Sequence, residues 1–147
     1  MTMTIALSSA VAAPTRTRLR ILCVDDDPLL RRILQLNLLA EGHVVDVLAD
    51  GSSVYEHARS QRPDLILLDV MMPGRDGYSV LGQLKSDEAT RDIPVVLLTA
   101  RASDEEVWEG WQAGADYYLT KPFDLDQLVY FVRQVLGSEP QTPEAQS

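Results

Sequence analysis

The sequence has a single cysteine, Cys23, among its 147 residues. One cysteine cannot form a disulfide within the chain, and such a composition is typical of a reducing compartment. We therefore expect a cytoplasmic protein. Because Cys23 lies inside an apolar segment, we interpret it as a small buried hydrophobic residue rather than as a reactive thiol.

Basic residues are also few, since 13 Lys and Arg stand against 22 Asp and Glu, a net charge of −9. Binding of DNA or RNA requires a basic face that contacts phosphates, so we expect no direct nucleic-acid partner. The excess of acids instead suits a divalent cation or a basic protein partner.

Long apolar segments are absent, and no stretch could cross a bilayer, so we expect no membrane partner. Residues 5–13 are mildly apolar but lack a preceding basic residue, which argues against a signal peptide. We predict a flexible N-terminal extension over residues 1–17 and one domain over residues 18–137. Residues 138–147, rich in small polar residues and proline, are predicted to be a flexible tail.

Between the two tails, short apolar segments alternate with segments that have helical spacing. The predicted strands are 19–24, 44–48, 65–68, 95–98 and 117–119, and the predicted helices are 28–40, 52–60, 78–85, 103–112 and 124–136. Strict alternation predicts a parallel sheet with helices on both faces, doubly wound by right-handed crossovers. The expected fold is α/β, flavodoxin-like (βα)5, with strand order 2-1-3-4-5.

Polar side chains stand at the carboxyl ends of four predicted strands. Asp25 and Asp26 follow the first strand, Asp69 the third, Thr99 the fourth and Lys121 the fifth. The ends of parallel strands meet at one edge of a sheet, where several acids repel one another unless a divalent cation lies among them. We therefore predict a Mg2+ site, with a hydroxyl and an ammonium placed to bind a phosphoryl group.

Most other polar residues that could carry chemistry have simpler explanations. Asp27 and Asp124 precede helices and are interpreted as N-caps, and Asp76 as part of a turn. His43 and His57 have no other histidine or cysteine at ligand spacing. We expect both histidines to be surface residues or to be satisfied by hydrogen bonds.

Taken in order, the motifs of the chain resemble the receiver domains of two-component response regulators over roughly residues 18–137. The matching stretches are Val24–Asp26, Leu68–Pro73, Asp76–Gly77, Leu98–Ala100 and Gly114–Phe123. We expect no output domain within the residues after Leu136. We therefore expect either a single-domain receiver or a fragment whose effector domain was removed.

The resemblance implies a role for each acid. Asp69 would be the phosphoacceptor, taking a phosphoryl group from a histidine kinase or a histidine phosphotransfer protein. Asp26, Asp69 and the backbone carbonyl of Met71 would ligate Mg2+ directly, and Asp25 would act mainly through a metal-bound water. The protein would thus be no enzyme beyond catalysing its own phosphorylation and dephosphorylation.

The resemblance also implies roles for residues on the fourth and fifth strands. Thr99 would bind a phosphoryl oxygen and move toward it on activation, and Lys121 would pair with the phosphoryl group. The Lys121–Pro122 peptide bond would be cis, which proline permits. Tyr118 would be the aromatic switch that turns inward when Thr99 moves.

Receivers of this family signal to a partner through helix four, strand five and helix five. Where DNA-binding members carry ion-pairing residues on this face, this chain has Val107, Tyr117 and Phe131. We expect a hydrophobic patch, with Trp108, Trp111, Tyr117 and the solvent-directed Phe131 as anchors for homodimerisation or for a downstream effector. Alternatively, the tryptophans pack in the core beneath the last helix.

Two positions are implied to set the lifetime of the phosphoryl group. These are Met71, two residues after Asp69, and Arg101, two residues after Thr99. A bulky apolar side chain and a long cation would hinder attack by water, which suits transcription-style or relay signalling. Recognition of the kinase is expected to depend on exposed residues of the first helix, namely Leu29, Arg31, Arg32 and Gln35.

Three other classes of function remain as alternatives. A Mg2+-dependent phosphatase with an aspartyl nucleophile would normally have a second acid at the position of Met71. A flavodoxin-like FMN carrier needs a loop rich in Ser, Thr and Gly where this chain has Asp25–Pro28. A degenerate receiver that docks proteins without phosphorylation is the third alternative, although all five site positions hold the expected residue types.

Overall fold

Five parallel strands form the single sheet of the computed structural model, which describes residues 18–72, 76–100, 112 and 114–136. The strands are β1 Arg20–Val24, β2 Val44–Leu48, β3 Leu65–Asp69, β4 Val95–Thr99 and β5 Tyr117–Thr120. Their order in the sheet is β2-β1-β3-β4-β5, with every neighbouring pair parallel. The predicted flavodoxin-like order is therefore confirmed.

Four helices connect or follow these strands in the part of the chain that the structure describes. They are α1 Pro28–Ala40, α2 Val54–Gln61, α3 Gly77–Lys85 and α4 Leu125–Leu136, and a short 3-10 turn, Gly51–Ser53, precedes α2. None of them is both long enough and apolar enough to cross a lipid bilayer. The helix predicted over 103–112, apart from Gln112, and the predicted tails 1–17 and 138–147 lie outside the described residues.

Helix α1 begins and ends at the residues that the sequence indicates. The side chain of Asp27 accepts hydrogen bonds from the backbone nitrogens of Leu29 at 3.0 Å and Leu30 at 3.4 Å. Pro28 occupies the first turn, where no backbone donor is needed. After the helix, Gly42 has a φ of 97°, a left-handed conformation that glycine adopts without strain.

Helix α3 begins with a cap and a close backbone approach. Asp76, which we interpreted as turn chemistry, accepts a hydrogen bond from the Ser79 backbone nitrogen at 2.8 Å and is the N-cap of α3. The Gly77 nitrogen donates to the Val70 carbonyl at 2.8 Å. A Cβ atom on Gly77 would lie 2.5 Å from the backbone oxygen of Asp69. Only glycine therefore lets α3 start directly against the end of β3.

The hydrophobic core lies on both faces of the sheet, because alternate residues of each strand point to opposite faces. One cluster packs beneath α1 and α4, and its members include Ile21, Cys23, Leu67, Leu98 and Leu128. The other packs beneath α2 and α3, and its members include Leu22, Val24, Ile66, Leu81 and Leu97. Strands β3 and β4 are fully buried, whereas the edge strand β2 is only partly buried.

Both histidines have partners, as expected. His43 is buried, and its Nδ1 accepts a hydrogen bond from the Leu19 backbone nitrogen at 3.1 Å. Burial lowers the pKa of His43, although the nearby charge of Glu41 acts in the opposite direction. His57 places its Nε2 3.2 Å from a carboxylate oxygen of Asp46.

The predicted hydrophobic patch is described only in part, because Val107, Trp108 and Trp111 lie outside the described residues. Tyr117 and Phe131 contact each other, with ring centroids 4.6 Å apart and an interplanar angle of 40°. Both also pack against the core cluster beneath α1 and α4. Phe131 is thus partly buried rather than directed toward solvent as predicted, because it packs against Tyr117 and the core.

Candidate functional site

The predicted site residues meet at the carboxyl edge of the sheet. Asp69 ends β3, where it pairs in register with Leu98 of β4, and Thr99 is the next residue along that strand. Lys121 follows β5, and its backbone nitrogen donates to the Thr99 carbonyl at 2.7 Å. Asp25 follows β1, and its backbone nitrogen donates to a carbonyl of β2 at 3.2 Å. The parallel topology therefore brings these residues together as predicted.

Three carboxylates come together at this edge. Asp25, Asp26 and Asp69 each place one carboxylate oxygen within 4.8 Å of the others. Asp25 is fully buried and Asp69 is 3% exposed, whereas Asp26 is exposed to solvent. Hard divalent cations prefer carboxylate oxygens, and Mg2+ usually keeps several waters, which an exposed ligand such as Asp26 permits. The acids therefore fit a Mg2+ site.

Asp69 is the acid with the most perturbed ionisation. Burial, together with the negative charge of Asp25, raises the pKa of Asp69 to about 7. The ammonium of Lys121 and a hydrogen bond from the Met71 backbone nitrogen, 3.3 Å long, act in the opposite direction but do not cancel the rise. The protein groups around Asp69 therefore do not fully stabilise its negative charge, and a cation bound between the acids would stabilise it further.

Hydrogen bonds restrain both the carboxylate and the backbone of Asp25. Its Oδ1 accepts a hydrogen bond from the Asp27 backbone nitrogen at 2.9 Å, and its Oδ2 accepts one from Lys121 Nζ at 2.8 Å. Its carbonyl oxygen accepts a hydrogen bond from Arg31 Nη1 at 2.8 Å. Together with the bond from its backbone nitrogen to Leu48, these contacts fix both the peptide and the carboxylate of Asp25.

Arg31 is a site component that the sequence analysis missed, because we assigned it to the kinase-recognition surface. The signal that could have revealed it is geometric. Side chains on a helix point back toward its N-terminus, so an arginine in the first turn of α1 can reach the loop that precedes the helix. The structure shows this reach, whereas the next residue, Arg32, is exposed.

Lys121 provides the positive charge at the site. Its Nζ lies 2.8 Å from Asp25 Oδ2 and 3.4 Å from Asp69 Oδ1. Although burial acts to lower it, the pKa of Lys121 is raised because hydrogen bonds and charge from both acids favour the ammonium. Because of this raised pKa, the Lys121 side chain stays protonated, and it faces the two buried carboxylates. The Lys121–Pro122 peptide bond is cis.

Of the remaining predicted residues, Thr99, Met71 and Tyr118 are among those that the structure describes. Thr99 is buried at the end of β4, and Met71 is 68% exposed. The hydroxyl of Tyr118 lies 3.1 Å from that of Tyr78, in the first turn of α3. Arg101 lies outside the described residues. The described centre combines a buried carboxylate, an ammonium and a set of acids that fits a divalent cation.

Known proteins similar to this chain include bacterial transcriptional regulators. The chain is 41% identical over 126 residues to the DNA-binding dual master transcriptional regulator RpaA of Synechocystis sp., which covers 86% of the chain and 52% of RpaA. It is 47% identical over 116 residues to the transcriptional regulatory protein CseB of Streptomyces coelicolor, covering 79% of the chain and 48% of CseB. The chain thus spans about half the length of these relatives.

These relatives correct our prediction about partners. From the net charge of −9 we expected no direct nucleic-acid partner, yet RpaA is a DNA-binding regulator. The expectation was wrong because the charge was counted over a chain that matches only about half of such proteins. The acidity of this chain therefore excludes no nucleic-acid partner.

Solved structures agree with the topology. The receiver domain of the sensor histidine kinase PA1611 from Pseudomonas aeruginosa, which holds a magnesium ion in its active-site cleft, has a TM-score of 0.75 and 34% identity. That match covers 82% of this chain and 98% of that domain. The receiver domain of the Francisella response regulator 1452 has a TM-score of 0.75 and 32% identity, covering 81% and 97% of the two chains.

The family model described as the response regulator receiver domain matches residues 21–133. This range contains nearly the whole sheet and every member of the acid and lysine centre. Sequence, topology and relatives agree, and the chain belongs to the response regulator receiver domain family.

Proposed function

We propose that this receiver accepts a phosphoryl group on the carboxylate of Asp69 from a phosphohistidine of a histidine kinase or histidine phosphotransfer protein. One observation carries the proposal: a buried carboxylate at a strand end lies 3.4 Å from a protonated lysine and beside two further acids. This combination stabilises charge on a transferring phosphoryl group and has no evident structural purpose.

The metal would be Mg2+, held by Asp26 and Asp69 with the Met71 carbonyl, and it would supply positive charge to the phosphoryl oxygens. Both carboxylate oxygens of Asp25 already accept hydrogen bonds from the protein. This arrangement favours an indirect role for Asp25, through a water, over direct ligation. Mg2+ coordinated in the cleft of the Pseudomonas receiver supports the same choice of ion.

Three protein groups would carry out the transfer. An oxygen of ionised Asp69 attacks phosphorus and forms the O–P bond, while the P–N bond to the donor histidine breaks and its electron pair stays on the imidazole nitrogen. Lys121 donates hydrogen bonds from its ammonium to phosphoryl oxygens, and Thr99 donates one from its hydroxyl. Because the pKa of Asp69 is raised to about 7, part of the carboxyl group is protonated at neutral pH. A bound cation would lower this pKa and so favour the ionised form that attacks phosphorus.

A groove beside the site suits the phosphodonor. It has a volume of about 480 Å3 and is lined mainly by apolar residues of α1 and of the segment after β5, namely Leu29, Leu30, Ile33, Pro122, Phe123 and Leu125. Lys121 also lines this groove, so a donor seated there would lie next to the acids. Leu29 is 67% exposed, which leaves an apolar surface for a helix of the donor.

The response would pass from the site to a partner through Thr99 and Tyr118. Thr99 ends β4 next to the strand that carries Asp69, and Tyr118 lies on the neighbouring strand. Hydrolysis would be slowed by Met71, whose exposed side chain lies two residues from the acyl phosphate. These roles rest on the family resemblance and are part of the proposal.

Intact mass spectrometry after incubation with acetyl phosphate and Mg2+ tests the proposal. We expect one added phosphoryl group in the original chain, none in Asp69→Asn, and one in Asp92→Asn, which has the same charge change at an exposed position. An adduct that persists in Asp69→Asn would refute Asp69 as acceptor. No adduct in the original chain, with Mg2+ bound, would favour a receiver that docks proteins without phosphorylation.

A further inference from the structure

The side chain of Arg31 binds the backbone of the acid loop rather than any carboxylate of it. Its Nη1 donates to the carbonyl oxygen of Asp25 at 2.8 Å, across the first turn of α1. The contact is partly buried, and the Arg31 backbone nitrogen donates to the Asp27 carbonyl at 3.0 Å. The backbone bond is the first intrahelical bond of α1, so it is the Arg31 side chain that links the helix to the loop, at the peptide between Asp25 and Asp26.

This peptide determines where the Asp26 carboxylate lies. The carbonyl of Asp25 and the nitrogen of Asp26 share one rigid plane, so fixing the carbonyl also fixes the direction of the chain at Asp26. Asp25 is held by its own contacts with Lys121 and Asp27. For Asp26, which is exposed, Arg31 holds the preceding peptide, and the bond from the Asp27 nitrogen to Asp25 Oδ1 holds the following one.

We propose that Arg31 is a positioning residue of the cation site, which orients Asp26 through the carbonyl of Asp25, and that it is not part of the partner-recognition surface. The inference rests on the proposed function, because it assigns Asp26 to the metal. Groups that orient metal ligands commonly change metal affinity by about 10-fold to 100-fold when they are removed.

The sign of the effect separates positioning from charge. Arg31 is a cation near the acids, so its removal on electrostatic grounds alone would tighten Mg2+ binding. Loss of positioning would instead weaken binding, because Asp26 would have to be ordered when the metal arrives. Arg32 carries the same charge on the adjacent residue and is exposed, so Arg32→Gln is a matched control for the charge.

The experiment compares the full chain with Arg31→Gln, Arg32→Gln and Arg31→Lys. Isothermal titration calorimetry with MgCl2 at fixed ionic strength gives the affinity of each protein for Mg2+. We expect Arg31→Gln to bind Mg2+ about tenfold more weakly than the original chain, and Arg32→Gln to bind at least as tightly. Arg31→Lys keeps the charge and one donor, and its affinity is expected to fall between these two.

A second readout needs no metal. In NMR spectra recorded with a chelator present, the backbone carbonyl resonance of Asp25 and the amide resonance of Asp26 should shift in Arg31→Gln. Both resonances should stay in place in Arg32→Gln. Unchanged resonances, or Mg2+ affinities equal in the two glutamine variants, would overturn the proposal. The proposal would also be overturned if Arg31→Gln bound Mg2+ more tightly than the original chain. It would likewise be overturned if Arg31→Gln impaired transfer from a phosphodonor while its Mg2+ affinity was unaltered.

Failure of the proposed function gives a different result. In that case the original chain would gain no phosphoryl group from acetyl phosphate, whatever Mg2+ affinities the Arg31 and Arg32 variants show. If Arg31→Gln proves unfolded by circular dichroism, Arg31→Lys decides the question. If Arg31→Lys binds Mg2+ more weakly than Arg32→Gln, the positioning role is supported. If it binds Mg2+ equally or more tightly, the proposal is overturned.

Discussion

The most informative perturbation is Asp69→Asn, because the cost of the buried carboxylate can be estimated from the structure. Burial and the charge of Asp25 raise the pKa of Asp69 from 3.8 to about 7. A difference of about three units, at about 1.4 kcal/mol for each unit, corresponds to about 4 kcal/mol of destabilisation once Asp69 is ionised. Asparagine keeps the shape of the side chain and removes the ionisation.

The pH at which this cost appears depends on the direction of the shift. The folded state holds the Asp69 proton more tightly than the unfolded state, so the carboxyl group costs nothing below pH 3.8. The cost grows as the pH rises toward the folded pKa of about 7 and is complete above it. In chelator, Asp69→Asn should therefore be more stable than the original chain by up to about 4 kcal/mol at pH 8, and by about 1–2 kcal/mol at pH 5.

Urea denaturation followed by far-ultraviolet circular dichroism measures this difference in the free energy of unfolding. Asp92→Asn, an exposed acid with the same charge change, serves as the control and should show little effect at either pH. Addition of MgCl2 should stabilise the original chain by about 2.7 kcal/mol at a hundredfold excess over Kd, and Asp69→Asn much less. An Asp69→Asn variant no more stable than the original chain at pH 8 would refute the reasoning.

The remaining predictions concern other parts of the fold. Gly77→Ala should destabilise the protein by about 2 kcal/mol or more in urea denaturation, because its Cβ would meet the backbone at 2.5 Å. Gly82→Ala, with open space at its Cβ, should instead stabilise helix α3 by about 0.5–1 kcal/mol. The lowered pKa of His43 predicts that stability falls as the pH drops below 6.5, and a fall of equal size in His43→Gln would contradict this. Cys23 is buried with its pKa raised to about 12, so a thiol reagent at pH 8 should label it only after denaturation, and rapid labelling of the folded chain would argue against this burial.

Much of the fold was accessible from the sequence because the strands are short and apolar and the helix starts carry clear signals. Asp27 and Pro28 marked the beginning of α1, and the structure shows both in their expected capping positions. The sequence interpretation of Asp76 was incomplete, because caps and turns use the same residue types and differ only in the conformation of the residues after them. The close approach of Gly77 to Asp69 joins residues from two elements and has no local signature.

At the site, strand ends were enough to place the acids and Lys121 at one edge, because parallel topology determines which ends meet. Side-chain partners were harder to predict. Arg31 was assigned to the surface because helical spacing alone does not show that its side chain turns back to the loop before α1. Phe131 was expected in solvent because the position of Tyr117 across from it depends on how α4 packs against β5.

The two buried acids of the site are held unequally, which fits the different tasks proposed for them. The carboxylate of Asp25 accepts hydrogen bonds of 2.9 and 2.8 Å, whereas that of Asp69 has contacts of 3.3 Å to Met71 and 3.4 Å to Lys121. Short charge-assisted bonds restrain a carboxylate and reduce its nucleophilicity, and longer ones do so less. The difference fits the proposed function, in which Asp25 would anchor Lys121 and Asp69 would form the bond to phosphorus.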